Sequence, residues 1–124
     1  MVKLLPYAAS LIAFLWGVAH LAVIKRIGGL FDDISPERKM IFVMAWIVQA
    51  FVMIFIGELI FFVTLNHYRQ AAVNLTIYWL SAVFLLVLGL VSFIACRGTQ
   101  ITLLKLDPVV RVLAAGLIFL SLLI

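Results

Sequence analysis

Four long apolar runs divide the chain, separated by short clusters of charged and turn-forming residues. The first extends from about Leu4 to Ile24 and is stopped by Lys25-Arg26. Ser35-Pro36-Glu37 then reads as a helix cap followed by proline at the first helical position. The second helix starts there, and its apolar part runs from Met40 to Leu65. A polar turn, Asn66-His67-Tyr68-Arg69-Gln70, leads to the third run at about Leu75–Cys96. Asp107-Pro108 repeats the cap-then-proline pattern, so the fourth helix is expected from there to Ile124.

A helix needs about 20 apolar residues to cross a hydrocarbon core about 30 Å thick. The runs meet that length, the last being the shortest at about 25 Å of helical rise. Expected helices therefore cover 4–24, 36–65, 75–96 and 108–124. They form one domain, an all-α, antiparallel up-and-down bundle of four membrane-spanning helices, with left-handed packing the default. The first run is too long for the apolar region of a signal peptide, and no small-x-small cleavage site follows it.

Composition sharpens this. Of 124 residues 68% are hydrophobic and 11% charged, where a soluble domain carries about 25% charged residues. The net charge of +4 does not point to nucleic acid, because the basic residues stand at the ends of the apolar runs. There they set orientation and meet lipid headgroups. Lys25, Arg26, Arg38, Lys39, Arg97, Lys105 and Arg111 belong to one side; Lys3 and Arg69 belong to the other. The positive-inside rule places loops 25–39 and 97–107 in the cytoplasm and both termini outside, in a cytoplasmic membrane. So uneven a distribution argues against dual topology. The single cysteine, Cys96, forms no intrachain disulfide and reads as a packing residue, with palmitoylation the alternative.

Polar side chains inside the spans are costly in lipid and are the best pointers to function. Counted along each helix, they fall into two layers. On the loop side of the midplane, His20 on the first span and Gln49 on the second differ in depth by about 4 Å, within hydrogen-bonding reach. Ser92 lies near the same level. Ala9, Ala13, Gly17 and His20 share one face of the first helix, a small-residue stripe that lets another helix approach and turns His20 into protein. Haem ligation is disfavoured because His67, the other histidine, lies at the opposite surface.

Glu58 defines the outer layer, about 8 Å above the midplane. Tyr7, Ser10, Tyr78, Ser81 and Ser121 stand near its depth as hydrogen-bonding candidates. Glu58 reads either as a protonated structural donor or as a group that exchanges protons or binds a cation or a ligand's polar head. The phenylalanines Phe51, Phe55, Phe61 and Phe62 form an apolar surface beside it. Gln49 and Glu58 point in opposite directions on an ideal helix. The second helix is therefore sandwiched, distorted near Gly57, or faces another subunit.

No nucleophile–base pair, paired carboxylates, metal-ligand cluster or phosphate-binding loop appears, which points away from an enzyme. The pattern leads to a structural or accessory subunit of a membrane complex, without a resident cofactor, holding a lipid or quinone-like ligand. The competing reading is an oligomeric proton-coupled transporter or ion channel using Glu58. Candidate ligand- or proton-binding residues are Glu58, His20, Gln49, Tyr78, Ser81 and Ser10. The expected partners are the bilayer and either copies of the chain or other membrane subunits. The chain departs from small multidrug-resistance transporters, because its membrane acid stands on the second helix and not the first. It is similar to DoxX-like four-helix proteins in size and helix count only.

Overall fold

A computed structural model describes residues 4–66 and 71–123. Lys3, Arg69 and His67, which enter the expected charge distribution and the haem reading, and Ile124, the expected end of the fourth helix, lie outside the described residues. The elements are α1 (Leu4–Ala22), α2 (Ile24–Gly29), α3 (Pro36–Leu65), α4 (Ala71–Ala95) and α5 (Thr102–Leu123). Among the described residues α1, α3, α4 and α5 are each long and apolar enough to cross a membrane. The protein is an all-α integral membrane protein built as a four-helix antiparallel bundle.

The helix ends follow local chemistry, with three departures from expectation. Pro36 does occupy the first turn of α3, after Ser35, although the Ser35 hydroxyl makes no capping bond. The segment expected as a loop from Lys25 contains α2. It continues from α1 through a bend at Val23, because Ile27 N–H still donates to Val23 O at 3.0 Å. Buried Ile27 seats this short helix on the start of α3, where Phe31 stacks on Phe42 with centroids 4.9 Å apart. The first turn of α4 lies four residues before the expected Leu75. After Ala95 the chain turns at Gly98, whose φ of +83° only glycine adopts at little cost.

The largest departure is at α5. Asp107-Pro108 does not begin this helix; Thr102 does, and Pro108 lies inside it. The apolar residues Leu103, Leu104 and Leu106 extend the helix backward past the point that the cap-and-proline pattern marks. Proline removes one donor, the one that would serve Leu104 O, a loss that membrane helices tolerate when neighbours pack around the site. At 22 residues the helix spans about 33 Å. It is not the shortest of the four; α1, at 19 residues, is.

The four spanning helices form a ring. Packing is heaviest between α1 and α3 and between α4 and α5, intermediate between α1 and α5, and lightest between α3 and α4. Ala9 and Ala13 of α1, Met53, Ile56 and Ile60 of α3, Ala82 and Leu85 of α4, and Ala114, Ala115 and Ile118 of α5 fill the interior. Small residues predominate on α1 and α5 because, between apolar helices in an apolar solvent, close backbone approach supplies the attraction.

The lightly packed α3–α4 seam is tied by hydrogen bonds at the end where α3 leads into α4. Thr64 Oγ1 and Tyr78 Oη are 2.8 Å apart, and Asn74 Nδ2 donates to Asn66 O at 3.3 Å. Tyr78→Phe removes the first tie without changing shape. A loss of about 0.5–1.5 kcal/mol is expected, measured by reversible unfolding in mixed detergent micelles. No change would mean that the seam is held by packing alone.

Candidate functional site

Among the described residues two polar sites stand out in the bundle, one closed and one open. The closed site lies near the end of the bundle that carries the α2 and α4–α5 connections. Asp107 is its centre, 2% exposed, with Arg111 1% exposed and His20 fully buried. The side chains converge from all four spanning helices. From α1, Trp16 Nε1–H donates to Asp107 Oδ1 at 2.8 Å. From α3, Gln49 Nε2–H donates to Oδ2 at 3.2 Å. From α4, the buried Ser92 hydroxyl faces the same carboxylate. On α5 itself, Arg111 Nε lies 2.9 Å from Oδ2, one helical turn on. That contact is ionic in kind: Nε and Nη2 of Arg111 make no hydrogen bond among the described residues.

His20 sits against this centre. Its Nδ1 is 3.0 Å from Trp16 O; a carbonyl only accepts, so Nδ1 is the donor. Its Nε2 faces Asp107 Oδ1 at 3.4 Å without a hydrogen bond. Trp46 covers the imidazole face, with centroids 4.5 Å apart and planes at 27°, while its Nε1–H donates to His20 O at 2.7 Å. Trp16 meets the same ring edge-on at 5.2 Å.

His20 and Gln49 are thus brought to one place, as their depths suggest, but each turns to Asp107 and not to the other. Asp107, the expected cap of a helix over 108–124, and Arg111, counted with the loop-side basic residues, are not among the expected site residues. The available signal was their spacing of four, which places acid and base on one helical face in the favourable order, within a segment whose apolar residues begin upstream. Trp16 and Trp46 also supply indole donors. The closed pair is neutral overall, which is how a buried acid and base persist in lipid. With Arg111 inside the bundle, six basic residues remain on the loop side: Lys25, Arg26, Arg38, Lys39, Arg97 and Lys105.

The open site is on the opposite half of the α1–α3 flank. Glu58 is exposed on the outer face of α3, inside a span. It borders a cleft of about 490 Å³ whose walls include Tyr7, Ser10, Phe14, Phe61 and Phe62. Tyr7 meets Phe61 edge-on at 5.7 Å, and Phe61 meets Phe62 at 5.9 Å. No hydrogen bond or ion pair joins Glu58 to another described residue.

Of the hydroxyl groups expected near Glu58, Tyr7 and Ser10 share its cleft, whereas Tyr78, Ser81 and Ser121 do not. Tyr78 is paired with Thr64, Ser81 is buried elsewhere, and Ser121 Oγ–H donates to Ile118 O at 2.6 Å. Gln49 and Glu58 do point apart: Gln49 enters the closed site and Glu58 faces outward. Gly57 does not reconcile them, since α3 is continuous from Pro36 to Leu65. Its role is contact with α1.

Among the described residues no three histidine, cysteine, aspartate or glutamate side chains group to hold a metal ion. Comparison with family models, curated proteins and solved structures finds no match to the chain.

Proposed function

We propose that this protein is a non-enzymatic accessory subunit of a membrane assembly, docking through the α1–α3 flank that carries Glu58. The observation behind this reading is a carboxyl with no partner among the described residues, on the lateral surface of a membrane span and set in an aromatic cleft. A carboxyl facing hydrocarbon is costly and gains most from a polar partner that arrives from outside the chain. A neighbouring helix with a donor side chain, or a quinone-like or lipid head with a hydroxyl or ammonium group, supplies one. Phe14, Phe61 and Phe62 offer the apolar surface for the rest of that partner. The six basic residues on the loop side support an orientation with both connecting loops in the cytoplasm and both termini outside.

A second reading draws on the same lateral position. Between copies of the chain, Glu58 would be shielded from lipid and able to exchange protons, as an oligomeric proton-coupled transporter requires. Glu58→Gln separates these roles from folding. Unfolding stability is expected to change by less than about 0.5 kcal/mol, because the side chain is exposed. Purification from the native membrane in mild detergent is expected to yield a complex with native Glu58 and the lone chain with Glu58→Gln. Retention of the same partners by both forms would overturn the docking role. Proton flux in proteoliposomes that only the native protein supports would make transport the leading account.

A further inference from the structure

We propose that the groove between α4 and α5 binds an anionic phospholipid in the leaflet on the loop side. The groove encloses about 670 Å³ and opens laterally, a volume typical of small-molecule sites. Its lining is apolar from Leu86 to Phe93 on α4 and from Pro108 to Leu113 on α5, with Lys105 the one charged member among the described residues. Lys105 stands in the first turn of α5, at the loop end. A second cation is held at the same mouth: the Arg97 guanidinium lies 5.3 Å from the centre of the Phe93 ring, which itself lines the groove.

Length identifies the occupant. From Lys105 to Leu113 the groove follows α5 for about 12 Å, close to the depth of one leaflet. A partner helix would need a face running the full thickness of the core. A phospholipid needs what is present here: an apolar channel from the interface to the midplane, with cations where the phosphate sits. Asp107, the nearest acid along α5, is buried and paired with Arg111, so it offers no opposing charge at the mouth. The α1–α3 cleft has the reverse character, with an acid and no lining cation among the described residues. This inference does not depend on the docking role of that cleft.

The test is native mass spectrometry of the delipidated full chain, titrated with phosphatidylglycerol or phosphatidylcholine of identical acyl chains. Phosphatidylglycerol is expected to bind at lower concentration. Each cation near the headgroup contributes about five-fold, so Lys105→Gln with Arg97→Gln should weaken phosphatidylglycerol about 25-fold and leave phosphatidylcholine nearly unchanged. Val109→Trp, which fills the groove from an exposed position, should weaken both lipids. Lys25→Gln with Arg26→Gln removes two loop-side cations away from the groove and should alter neither. Equal binding of the two lipids by the native chain would overturn the proposal. So would loss of selectivity in the Lys25/Arg26 pair, or unchanged binding in Val109→Trp.

Discussion

Replacing Asp107 with alanine is expected to lower the stability of the bundle by about 3–5 kcal/mol, the largest effect of any single substitution considered. The reason is what it leaves behind. Arg111 is 1% exposed and would become a buried cation without a counter-charge. The Trp16 indole and the Gln49 amide would lose their acceptor, and each buried donor left unmade adds to the cost. The same change unties α1, α3 and α4 from α5 at one point. Unfolding in mixed micelles measures the loss. A double substitution, Asp107→Ala with Arg111→Met, decides the mechanism. Removing both charges at similar shape should recover much of the loss, since replacing a whole buried ion pair by apolar groups is often near neutral. If the double variant is as unstable as the single, the carboxylate matters chiefly as an acceptor for Trp16 and Gln49.

The second large effect is expected where α1 and α3 touch. A Cβ on Gly17 would lie 2.6 Å from Ala50 O and 2.7 Å from Ile54 Cγ1; one on Gly57 would lie 2.8 Å from both Phe14 N and Ser10 O. The nearest obstacles are mostly backbone, so they cannot rotate aside and the helices must separate. Gly17→Ala and Gly57→Ala should each cost about 1–3 kcal/mol through overpacking. They load the same interface from reciprocal sides, so the pair should be less than additive once the first has pushed the helices apart. Gly116 provides the control: nothing lies within 4 Å of its added Cβ. Gly116→Ala should be neutral or stabilising by up to about 1 kcal/mol through helix propensity. A similar cost at all three positions would show that glycine is needed for backbone freedom and not for close approach.

These two contacts also explain why the sites differ in character. The close α1–α3 crossing buries the inner face of α3, including Met53, Ile56 and Ile60. Glu58, next to Gly57 in sequence, is rotated about 100° from it around the helix and so comes to the rim. Gln49, lower on the same helix, faces Asp107 on α5 across the ring. One continuous helix therefore serves a closed polar centre with one face and an open cleft with another.

Much of this was determined by the sequence alone. Lipid as solvent requires long apolar helices, and the spacing of charge clusters along the chain marks four of them. The stripe Ala9, Ala13, Gly17 and His20 indicated which face of α1 is buried, because small residues at helical spacing are what close packing needs. That Gln49 and Glu58 point apart followed from helical geometry, though not which of the two faces outward. Tertiary structure decided the rest. Asp107-Pro108 has the local grammar of a helix start. What makes it helix interior instead is packing against α1 and α3, whose Trp16 and Gln49 supply donors to a carboxylate that would otherwise be intolerable at that depth. Depth counting could bring His20 and Gln49 to one level, but not name the acid between them. It also grouped Tyr78 and Ser81 with Glu58, because depth fixes height along a helix and says nothing of azimuth, which only the packing of neighbouring helices sets.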